Sequence, residues 1–340
     1  MVNLVTGATG HIGNVLVRQL VEKGEKVRAL ILPGEDTTPI RGLPVELIEG
    51  NVLHPQSLQP ALQGVECVFH LAGLISILPG RDQLVHRVNV EGTRNVLQAA
   101  CQARVQRLVY TSSIHAIRRA PHGIVIDETI PFDTFNAAGT YDHSKAEASL
   151  TVLASICKGL DALIICPTGV IGPYDFRRSE VGQLILDCVD AKPALYVDGA
   201  YDFVDVRDVA RGLILAAEKG RTGEVYILSG EQISVQRLLE MVREITGRHF
   251  PHIRIPLSLA RIGSVFSSWY CRLAHIKPRI TPYSLETLQS NSVISHAKAN
   301  RELGYSPRSM RQSVTDTVQW FLENRNLVYH PVKLPGIPAI

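Results

Sequence analysis

The sequence of 340 residues contains no long apolar run, no long run of Lys and Arg and no low-complexity linker. No stretch approaches the ~18 consecutive apolar residues that a membrane-spanning helix needs. The first predicted strand begins at residue 2, which leaves no room for a cleaved signal peptide. We therefore expect a cytoplasmic protein without a membrane partner. Because the formal net charge is only +3, nucleic acid is not an expected partner either.

Paired cysteines and metal-ligand spacings are also missing. The six cysteines lie far apart without a C-x-x-C pair, which favours reduced core residues over disulfides. The twelve histidines form neither an H-E-x-x-H motif nor a cluster with cysteines, so we expect no metal site. With 45% hydrophobic and 20% charged residues, the chain has the composition of a globular protein that takes a small-molecule substrate.

What the sequence does contain is a glycine-rich turn at its start. A short apolar run precedes Gly7, Gly10 and Gly13, and apolar residues at helical spacing follow them. Glycines let the backbone approach a pyrophosphate closely, and the N–H groups at a helix start present partial positive charge to it. The spacing differs from G-x-G-x-x-G, so the turn alone leaves an ordinary strand-to-helix connection as an equal alternative.

Apolar β-forming runs then alternate with helical patterns along the first two thirds of the chain. This alternation predicts an α/β fold built on a Rossmann-type, doubly wound parallel sheet. The predicted strands after the first one cover residues 27–32, 45–49, 65–71, 108–111, 162–166 and 225–228. One long helix is predicted over 82–103.

Tyr141 and Lys145 stand four residues apart at the head of a predicted helix, so their side chains share one face. A phenol with a pKa of about 10 is a poor acid or base at neutral pH unless a nearby cation favours its phenolate. Lys145 supplies that cation. Such a pair is common on solvated helix faces. The catalytic interpretation is favoured because a glycine turn, strand–helix alternation and a strand ending in Ser112-Ser113 precede the pair.

These motifs together resemble the short-chain dehydrogenase/reductase superfamily. The turn Thr6-Gly-Ala-Thr-Gly-His-Ile-Gly and the Tyr-x-x-x-Lys pair are similar to those of its extended epimerase/dehydratase branch. The segment Val-Asp-Val-Arg-Asp-Val-Ala at 204–210 resembles dihydroflavonol-reductase and 3β-hydroxysteroid-dehydrogenase-like members. The resemblance implies that Ser113 holds the substrate oxygen, Tyr141 transfers its proton, and Lys145 also fixes the nicotinamide ribose.

The resemblance also implies a set of cofactor contacts. Ile31 and Leu32 replace the Asp and the Arg that relatives commonly use to select NAD or NADP. Glu35 and Asp36 lie near the distance at which an acid accepts from the ribose, although acids after a Pro-Gly turn are usually solvated. We therefore favour NAD over NADP. Asn51 stands where relatives have the Asp that binds the adenine amino group. The implied cofactor-binding residues are Gly7, Thr9, Gly10, His11, Ile12, Gly13, Leu32, Asn51, Val52, Leu71, Ala72, Gly73, Asn89, Tyr141, Lys145, Pro167 and Val170.

Other residues near these motifs are expected to be structural. His70 is interpreted as a core histidine at a strand end, and Asn89 as a brace for the active-site backbone or a water chain. Gly92 inside a helix costs about 1 kcal/mol relative to Ala, so we expect a close packing contact there. Asp205 and Arg207 are interpreted as a capping and packing device.

The predicted organisation is a dinucleotide-binding domain over 1–165, with returning segments at about 200–230. A smaller, mostly helical substrate lobe covers 166–200 and 231–328, and 329–340 form a tail. The leading function is an NAD(P)-dependent oxidoreductase acting on a secondary alcohol or ketone. The alternatives are a nucleotide-sugar epimerase or dehydratase that retains NAD, and a non-catalytic dinucleotide sensor. A homodimer through the long helices is compatible with the sequence.

Overall fold

The computed structural model describes residues 1–75, 81–136, 139–157, 159–264, 281–325 and 327. Strands and helices alternate through its first half, as the hydrophobic pattern predicts. In chain order they are β1 (Val2–Thr6), α1 (His11–Glu22), β2 (Lys26–Ile31), β3 (Glu46–Glu49), α2 (Pro55–Leu62), β4 (Cys67–His70), α3 (Asp82–His86), α4 (Gly92–Gln102), β5 (Arg107–Thr111), α5 (Thr140–Ile156) and β6 (Ala162–Pro167).

The second half contains shorter strands between helices. In chain order they are β7 (Gly169–Ile171), α6 (Glu180–Val189), β8 (Ala194–Tyr196), β9 (Ala200–Asp205), α7 (Val206–Lys219), β10 (Val225–Leu228), β11 (Glu231–Ser234), α8 (Val235–Thr246), β12 (His252–Arg254), the helical residues 257–264 (α9), α10 (Pro282–Gln289), α11 (Ala297–Leu303) and α12 (Met310–Glu323). None of the helices within the described ranges is long and apolar enough to cross a membrane.

A seven-stranded parallel sheet forms the centre of the molecule. Its strand order is β10-β6-β5-β4-β1-β2-β3. The chain winds outward in one direction from β1 to β3 and in the other from β4 to β10, so the order reverses between β1 and β4. In open parallel sheets, ligands bind outside the carboxyl ends of the strands at such a reversal. The fold therefore places a binding crevice at the ends of β1 and β4 and confirms the Rossmann-type prediction.

The sheet is buried on both faces, which stabilises the edge where the crevice lies. Successive side chains of a strand point to opposite faces, and Leu4 and Val5 accordingly belong to two different apolar clusters. Helices α2, α4 and α5 cover one face, and α1 and α7 pack together on the other. Burying a Val or Leu side chain contributes about 1.5–3 kcal/mol, so the strands are held firmly on both sides.

Two small sheets build the second lobe. Strand β9 pairs with β7 in parallel and with β11 in antiparallel orientation, and β8 pairs with β12 as a two-stranded parallel ribbon. The returning segment predicted at about 200–230 contributes α7 and β10 to the nucleotide side. Its first part, β9, belongs to the small three-stranded sheet.

The structure departs from the sequence-based prediction in two places. The helix predicted over 82–103 contains a π-helical turn at Arg87–Glu91 between α3 and α4. Residues 297–305, which the sequence analysis placed in the substrate lobe, pack against α7 and β10 on the nucleotide side, because Ala299, Leu303 and Tyr305 belong to that apolar cluster. The predicted tail at 329–340 lies outside the described residues.

Candidate active site

Most of the predicted site residues lie at one edge of the central sheet. The turn at Gly7 follows β1, Leu32 follows β2, and Asn51 comes shortly after β3. Because neighbouring strands are parallel, their carboxyl ends meet at the same edge. Leu71, Ala72 and Gly73 follow β4, Ser113 follows β5, and Pro167 ends β6 at this edge as well. The strand order therefore brings together residues that are up to 160 positions apart in the sequence.

The glycine turn brings backbone segments so close together that a side chain would not fit at two of its glycines. Gly7 has φ +71, and a Cβ at this position would lie 2.8 Å from the Ala72 amide nitrogen. A Cβ on Gly13 would overlap the Gly7 carbonyl oxygen. Helix α1 begins at His11 after Gly10, whose lack of a side chain leaves the first N–H groups without a side-chain cap. Amides at a helix N-terminus bind phosphate, so the turn fits the pyrophosphate of a dinucleotide.

Glu35 folds back over the glycine turn. Its carboxylate accepts a hydrogen bond of 2.8 Å from the Leu32 amide and another from the Thr9 hydroxyl. Arg177 Nη2 donates to Glu35 Oε1 at 3.0 Å and to Thr9 Oγ1 at 2.8 Å. By contrast, the neighbouring Asp36 accepts from the Thr38 amide. Glu35 is therefore an ordered carboxylate beside the end of β2, whereas the sequence analysis considered ordinary solvation the usual outcome for an acid after a Pro-Gly turn.

The loop after β3 is stabilised by hydrogen bonds of its own residues. Asn51 Oδ1 accepts from the Leu53 amide at 2.9 Å, and the Ser57 hydroxyl lies 2.9 Å from the Asn51 amide nitrogen. Val52 is buried, and its carbonyl accepts from Asn95 Nδ2 at 2.9 Å. An amide oxygen has two lone pairs, so Asn51 retains one acceptor position for an adenine amino group.

Gly92 confirms the predicted close packing of helix and loop. A Cβ on Gly92 would lie 2.7 Å from Val52 Cγ2. The π turn ends at Glu91, immediately before this contact. Turns of this type often occur beside functional sites, and this one also carries Asn89.

His70 is a core histidine, as predicted. Its Nδ1 lies 2.8 Å from the Thr6 hydroxyl and its Nε2 lies 3.0 Å from the Thr93 hydroxyl. Burial lowers the pKa of His70 to about 3, so the ring is neutral. The Thr6 hydroxyl also accepts from the Ala72 amide at 3.0 Å. Together these bonds fix the chain direction where β4 leaves the sheet.

Asn89 braces the site from the π turn. Its side chain is fully buried and bonds both the amide and the carbonyl of Leu74, at 2.7 and 3.1 Å. Asn89 Nδ2 also donates to the Ser144 hydroxyl at 2.9 Å, and that hydroxyl donates to the Tyr141 carbonyl at 2.8 Å. One amide thus connects the loop after β4 to the first turn of α5. The predicted backbone-bracing role is confirmed.

Tyr141 and Ser113 meet at the sheet edge. Both are buried, and the Ser113 hydroxyl is close enough to the Tyr141 phenol to lower its pKa. The Ser113 oxygen also accepts from the His115 amide at 3.2 Å. Burial raises the pKa of Tyr141 to about 12, while the nearby Ser113 hydroxyl opposes that rise. The phenol is therefore neutral at pH 7 and is arranged as a proton donor.

Lys145 lies one helical turn beyond Tyr141 and is also buried. Its Nζ donates to the Thr111 carbonyl at 2.8 Å and lies 3.5 Å from the Tyr110 hydroxyl. Burial lowers the pKa of Lys145 to about 8. The expectation that its charge depresses the pKa of Tyr141 is not met, because desolvation of the phenol dominates. A Cβ on Gly73 would lie 3.4 Å from Lys145 Nζ, so the glycine keeps the space beside the amine open.

The segment after β6 closes the nucleotide side of the crevice. His11 shares a hydrogen bond of 3.0 Å with the Pro173 carbonyl, and Asn14 donates to the Tyr174 carbonyl at 3.2 Å. Strand β7, which contains Val170, therefore ends beside the helix that follows the glycine turn. Ile12 lies in the same helix and packs against the adjacent apolar cluster.

A second polar cluster borders Tyr141 on the substrate side, and sequence reasoning did not identify it. The His115 ring centroid lies 6.4 Å from that of Tyr141, and His115 Nε2 shares a hydrogen bond of 2.8 Å with the Tyr201 hydroxyl. The Tyr283 hydroxyl donates to the buried Asp142 at 2.7 Å. Burial lowers the pKa of His115 to about 4 and raises that of Asp142 to about 6. No sequence signal was available, because Tyr201 and Tyr283 come from distant elements.

The residues interpreted as structural have partners away from this edge. Asp205 caps α7 by accepting from the Arg207 amide at 2.8 Å, and Arg207 also pairs with Asp316 at 2.6 Å. Within the described ranges, no group of three or more His, Cys, Asp or Glu side chains could hold a metal ion.

The described cysteines are free thiols. Cys67, Cys166 and Cys188 are buried, as the sequence analysis expected for core residues. Burial raises the pKa of Cys166, which lies in β6, to about 12. Cys101 and Cys157 are exposed, so the expectation of core cysteines is wrong for these two.

Comparisons with known proteins agree with this arrangement. The model of the NAD dependent epimerase/dehydratase family matches residues 3–229. Sterol demethylase protein B of Methylococcus capsulatus is 38% identical over 325 residues, covering 95% of this chain and 99% of that protein. A putative dihydroflavonol 4-reductase of Synechocystis is 33% identical over 321 residues, covering 93% of each chain. The crystal structure of gox2253 superposes with a TM-score of 0.83 at 38% identity, covering 96% of this chain and 99% of that one.

The match to the family covers the glycine turn, the Tyr-x-x-x-Lys helix and all seven strands of the central sheet except Val2, the first residue of β1. The chain is therefore an enzyme of the NAD-dependent epimerase/dehydratase family, within the extended branch of the short-chain dehydrogenases/reductases.

Proposed function

We propose that this protein is an NAD-dependent oxidoreductase that interconverts a secondary alcohol and a ketone, using Ser113, Tyr141 and Lys145. The observation that carries the proposal is the placement of three buried side chains, Ser113, Tyr141 and Lys145, together at the sheet edge. Lys145 lies one helical turn away beside Gly73. These groups surround one point at the strand ends, where a substrate oxygen can accept from both hydroxyls.

Tyr141 is the proton donor in the reducing direction. Because its pKa is raised to about 12, the phenol is protonated at neutral pH and gives its proton to the oxygen of the ketone as that oxygen gains negative charge. Ser113 donates a second hydrogen bond to the same oxygen. The bound nicotinamide supplies the hydride that the carbonyl carbon receives, or accepts it in the reverse direction. Solvent then returns the proton to Tyr141.

Lys145 holds the ribose and stabilises the phenolate that remains on Tyr141. Its amine is fixed by the Thr111 carbonyl at 2.8 Å, so its remaining protons point toward the space beside Gly73. A buried cation near a newly formed phenolate lowers the energy of the charged state. Since its pKa is lowered to about 8, Lys145 is still largely charged at pH 7.

Glu35 supports NAD as the coenzyme. Its carboxylate is held by the Leu32 amide and the Thr9 hydroxyl at the end of β2. An acid at this place accepts from the ribose 2′-OH, and it would repel the 2′-phosphate of NADP. Arg177 pairs with this carboxylate, which satisfies its charge in part.

The substrate side supports a compound with a ring system. The aromatic side chains of His115, Tyr201 and Tyr283 lie together next to Tyr141, and flat aromatic walls suit flat apolar substrates. The names of the two curated relatives refer to a sterol and to a dihydroflavonol. We infer a ring-bearing secondary alcohol or ketone, handled in the cytoplasm, where NAD is available.

Turnover of NADH with an oxosteroid, a dihydroflavonol or UDP-glucose tests this function. We expect net oxidation of NADH with a ring-bearing ketone, and loss of that reaction in Tyr141→Phe. Conversion of UDP-glucose by NAD that stays bound, without net NADH oxidation, would favour the epimerase alternative. Binding of NADH without turnover of any of these compounds, unchanged in Tyr141→Phe, would favour the sensor.

A further inference from the structure

Helix α9 exposes apolar side chains where a surface helix normally has polar ones. Leu259 and Ile262 are each 59% exposed, although they lie three residues apart on one helix face. The opposite side of α9 is packed, because Ala260 is buried against Val197 and Leu285. The orientation of the helix is therefore fixed by its inner face, and the outer face presents two aliphatic residues.

The neighbouring two-stranded ribbon shows the same feature. Leu195 of β8 and Ile253 of β12 are directly paired across the ribbon and are 52% and 53% exposed. The residues on both sides of Leu195, Ala194 and Tyr196, are buried. Since alternate residues of a strand point to opposite faces, the outer face of the ribbon carries an aliphatic pair.

The ribbon and α9 belong to one end of the substrate lobe. Residue 257, where α9 starts, comes three positions after the end of β12. Val197, which directly follows β8, packs beneath Ala260 of α9, and Ile255 donates its amide to the Tyr196 carbonyl at 2.8 Å. We call this region the lobe-end surface, and it consists of Leu195, Ile253, Leu259, Arg261 and Ile262.

The sequence around this surface is strongly basic. Residues 245–285 contain six Lys and Arg and no Asp or Glu, while the other residues contain 29 Lys and Arg against 32 Asp and Glu. Arg261 is exposed on α9, between Leu259 and Ile262. Arg254 pairs with Asp198, and both side chains are more than half exposed. The rest of the chain thus has a slight acidic excess, whereas the basic segment bears the exposed Ile253, Leu259 and Ile262.

We propose that the lobe-end surface binds the surface of a membrane rich in anionic lipids. Peripheral helices bind membranes by burying aliphatic side chains about 5–10 Å deep while Lys and Arg contact anionic headgroups. A second copy of this chain would bring two basic segments together, which is electrostatically unfavourable. The expectation of no membrane partner was based on the absence of a spanning segment, and a surface-bound protein needs none.

Co-sedimentation of the full-length protein with vesicles tests this proposal. The probes are vesicles of phosphatidylcholine alone and vesicles containing about one third phosphatidylglycerol. We expect binding to the anionic vesicles at least tenfold stronger than to the neutral ones. The difference should shrink as salt is raised, because the Debye length falls from about 10 Å at 0.1 M to about 3 Å at 1 M. This comparison needs no variant and does not depend on the proposed enzymatic activity.

Charge-adding variants locate the surface. The double substitution Leu259→Glu with Ile262→Glu should weaken binding to anionic vesicles by at least about tenfold, since it removes buried aliphatic groups and adds like charge. The matched control is Leu150→Glu with Leu322→Glu, which changes two leucines that are each 44% exposed on α5 and α12. This control should bind vesicles like the wild type. Circular dichroism checks that both variants are folded.

Three results would overturn the proposal. The first is no binding to anionic vesicles, and the second is equal binding to both vesicle types at low salt. The third is an equal loss of vesicle binding in the α9 variant and in its control. If light scattering shows that the α9 variant abolishes self-association while vesicle binding is absent, the occupant is a second copy of the chain instead.

Discussion

The two halves of the molecule position their residues by different means. In the nucleotide half, the site residues follow the ends of seven parallel strands that pair in one sheet and, apart from the edge strand β3, are largely buried. In the substrate half, strands of three to six residues form two small sheets, and aliphatic residues remain exposed on β8, β12 and α9. In the nucleotide half, the backbone of the sheet determines where the predicted cofactor-binding residues lie. In the substrate half, the positions of the site residues depend on a few side-chain contacts, such as those of His115 and Tyr283. Substitutions in the two halves should therefore differ in effect.

The largest expected effect is on the reaction itself. Tyr141→Phe removes the proton donor, so we expect kcat to fall by about 10²–10⁴-fold, while NADH binding is retained. Tyr196→Phe removes a hydroxyl from the substrate half and should leave kcat nearly unchanged. Steady-state kinetics on the ketone identified by the NADH assay compares the two variants. Equal effects would show that Tyr141 has no special chemical role.

Adding one methyl group at Gly13 tests how rigidly the nucleotide half holds the glycine turn. Gly13→Ala places a Cβ against the Gly7 carbonyl oxygen, and overpacking of this kind costs about 1–3 kcal/mol. We expect NADH affinity to fall at least about tenfold, measured by titration. Gly263→Ala is the control in the substrate half, because nothing lies within 4 Å of the added carbon. It should bind NADH normally and unfold at the same temperature or slightly higher.

The buried amine of Lys145 should cost stability at neutral pH. Its pKa is lowered from 10.5 to about 8 in the folded state, so the unfolded chain holds the proton more strongly between these values. The destabilisation is complete below pH 8 and disappears as the pH rises toward 10.5. Lys145→Met should therefore be more stable by about 1–3 kcal/mol at pH 7, and inactive.

Denaturant unfolding of wild type and Lys145→Met at pH 7 and pH 10.5 measures this effect. The stability gain should be present at pH 7 and largely absent at pH 10.5. A gain that does not change with pH would mean that the charge of Lys145 is not its cause.

The smallest expected effect concerns coenzyme choice. Glu35→Gln keeps an acceptor near Thr9 and Leu32 but removes the charge that opposes a 2′-phosphate. We expect the preference for NADH over NADPH to fall by about tenfold, or ~1.4 kcal/mol. Asp36→Asn alters the next acid, which accepts from the Thr38 amide, and should leave the preference unchanged. Parallel titrations with the two coenzymes check both variants, and a change of equal size in both would remove Glu35 from the selection.

The sequence predicted the nucleotide half well for a physical reason. Strand–helix alternation is a local pattern, and parallel connection of strands leaves few possible orders. The glycine turn, the Tyr141–Lys145 pair and the core role of His70 could be inferred because each depends on residues close in sequence. The π turn before Gly92 could not, since no spacing of residue types in the sequence distinguishes it from an α-helical turn.

Contacts between distant residues account for what the sequence missed. Tyr201 reaches His115 from a small sheet, and Tyr283 reaches Asp142 from α10. Arg177 meets Glu35 across 142 positions. No spacing or periodicity in the sequence indicates that the two residues of any of these pairs are in contact. The raised pKa of Tyr141 likewise comes from burial, which the residue types alone do not specify.

A titration of the freshly purified protein with NADH, combined with mass spectrometry of any nucleotide released from it, tests the central claim most directly. Our account predicts saturable NADH binding that is weakened in Gly13→Ala and unchanged in Gly263→Ala. If no dinucleotide is released and none binds, the carboxyl edge of the sheet is not a cofactor site, and the proposed roles of Ser113, Tyr141 and Lys145 are wrong.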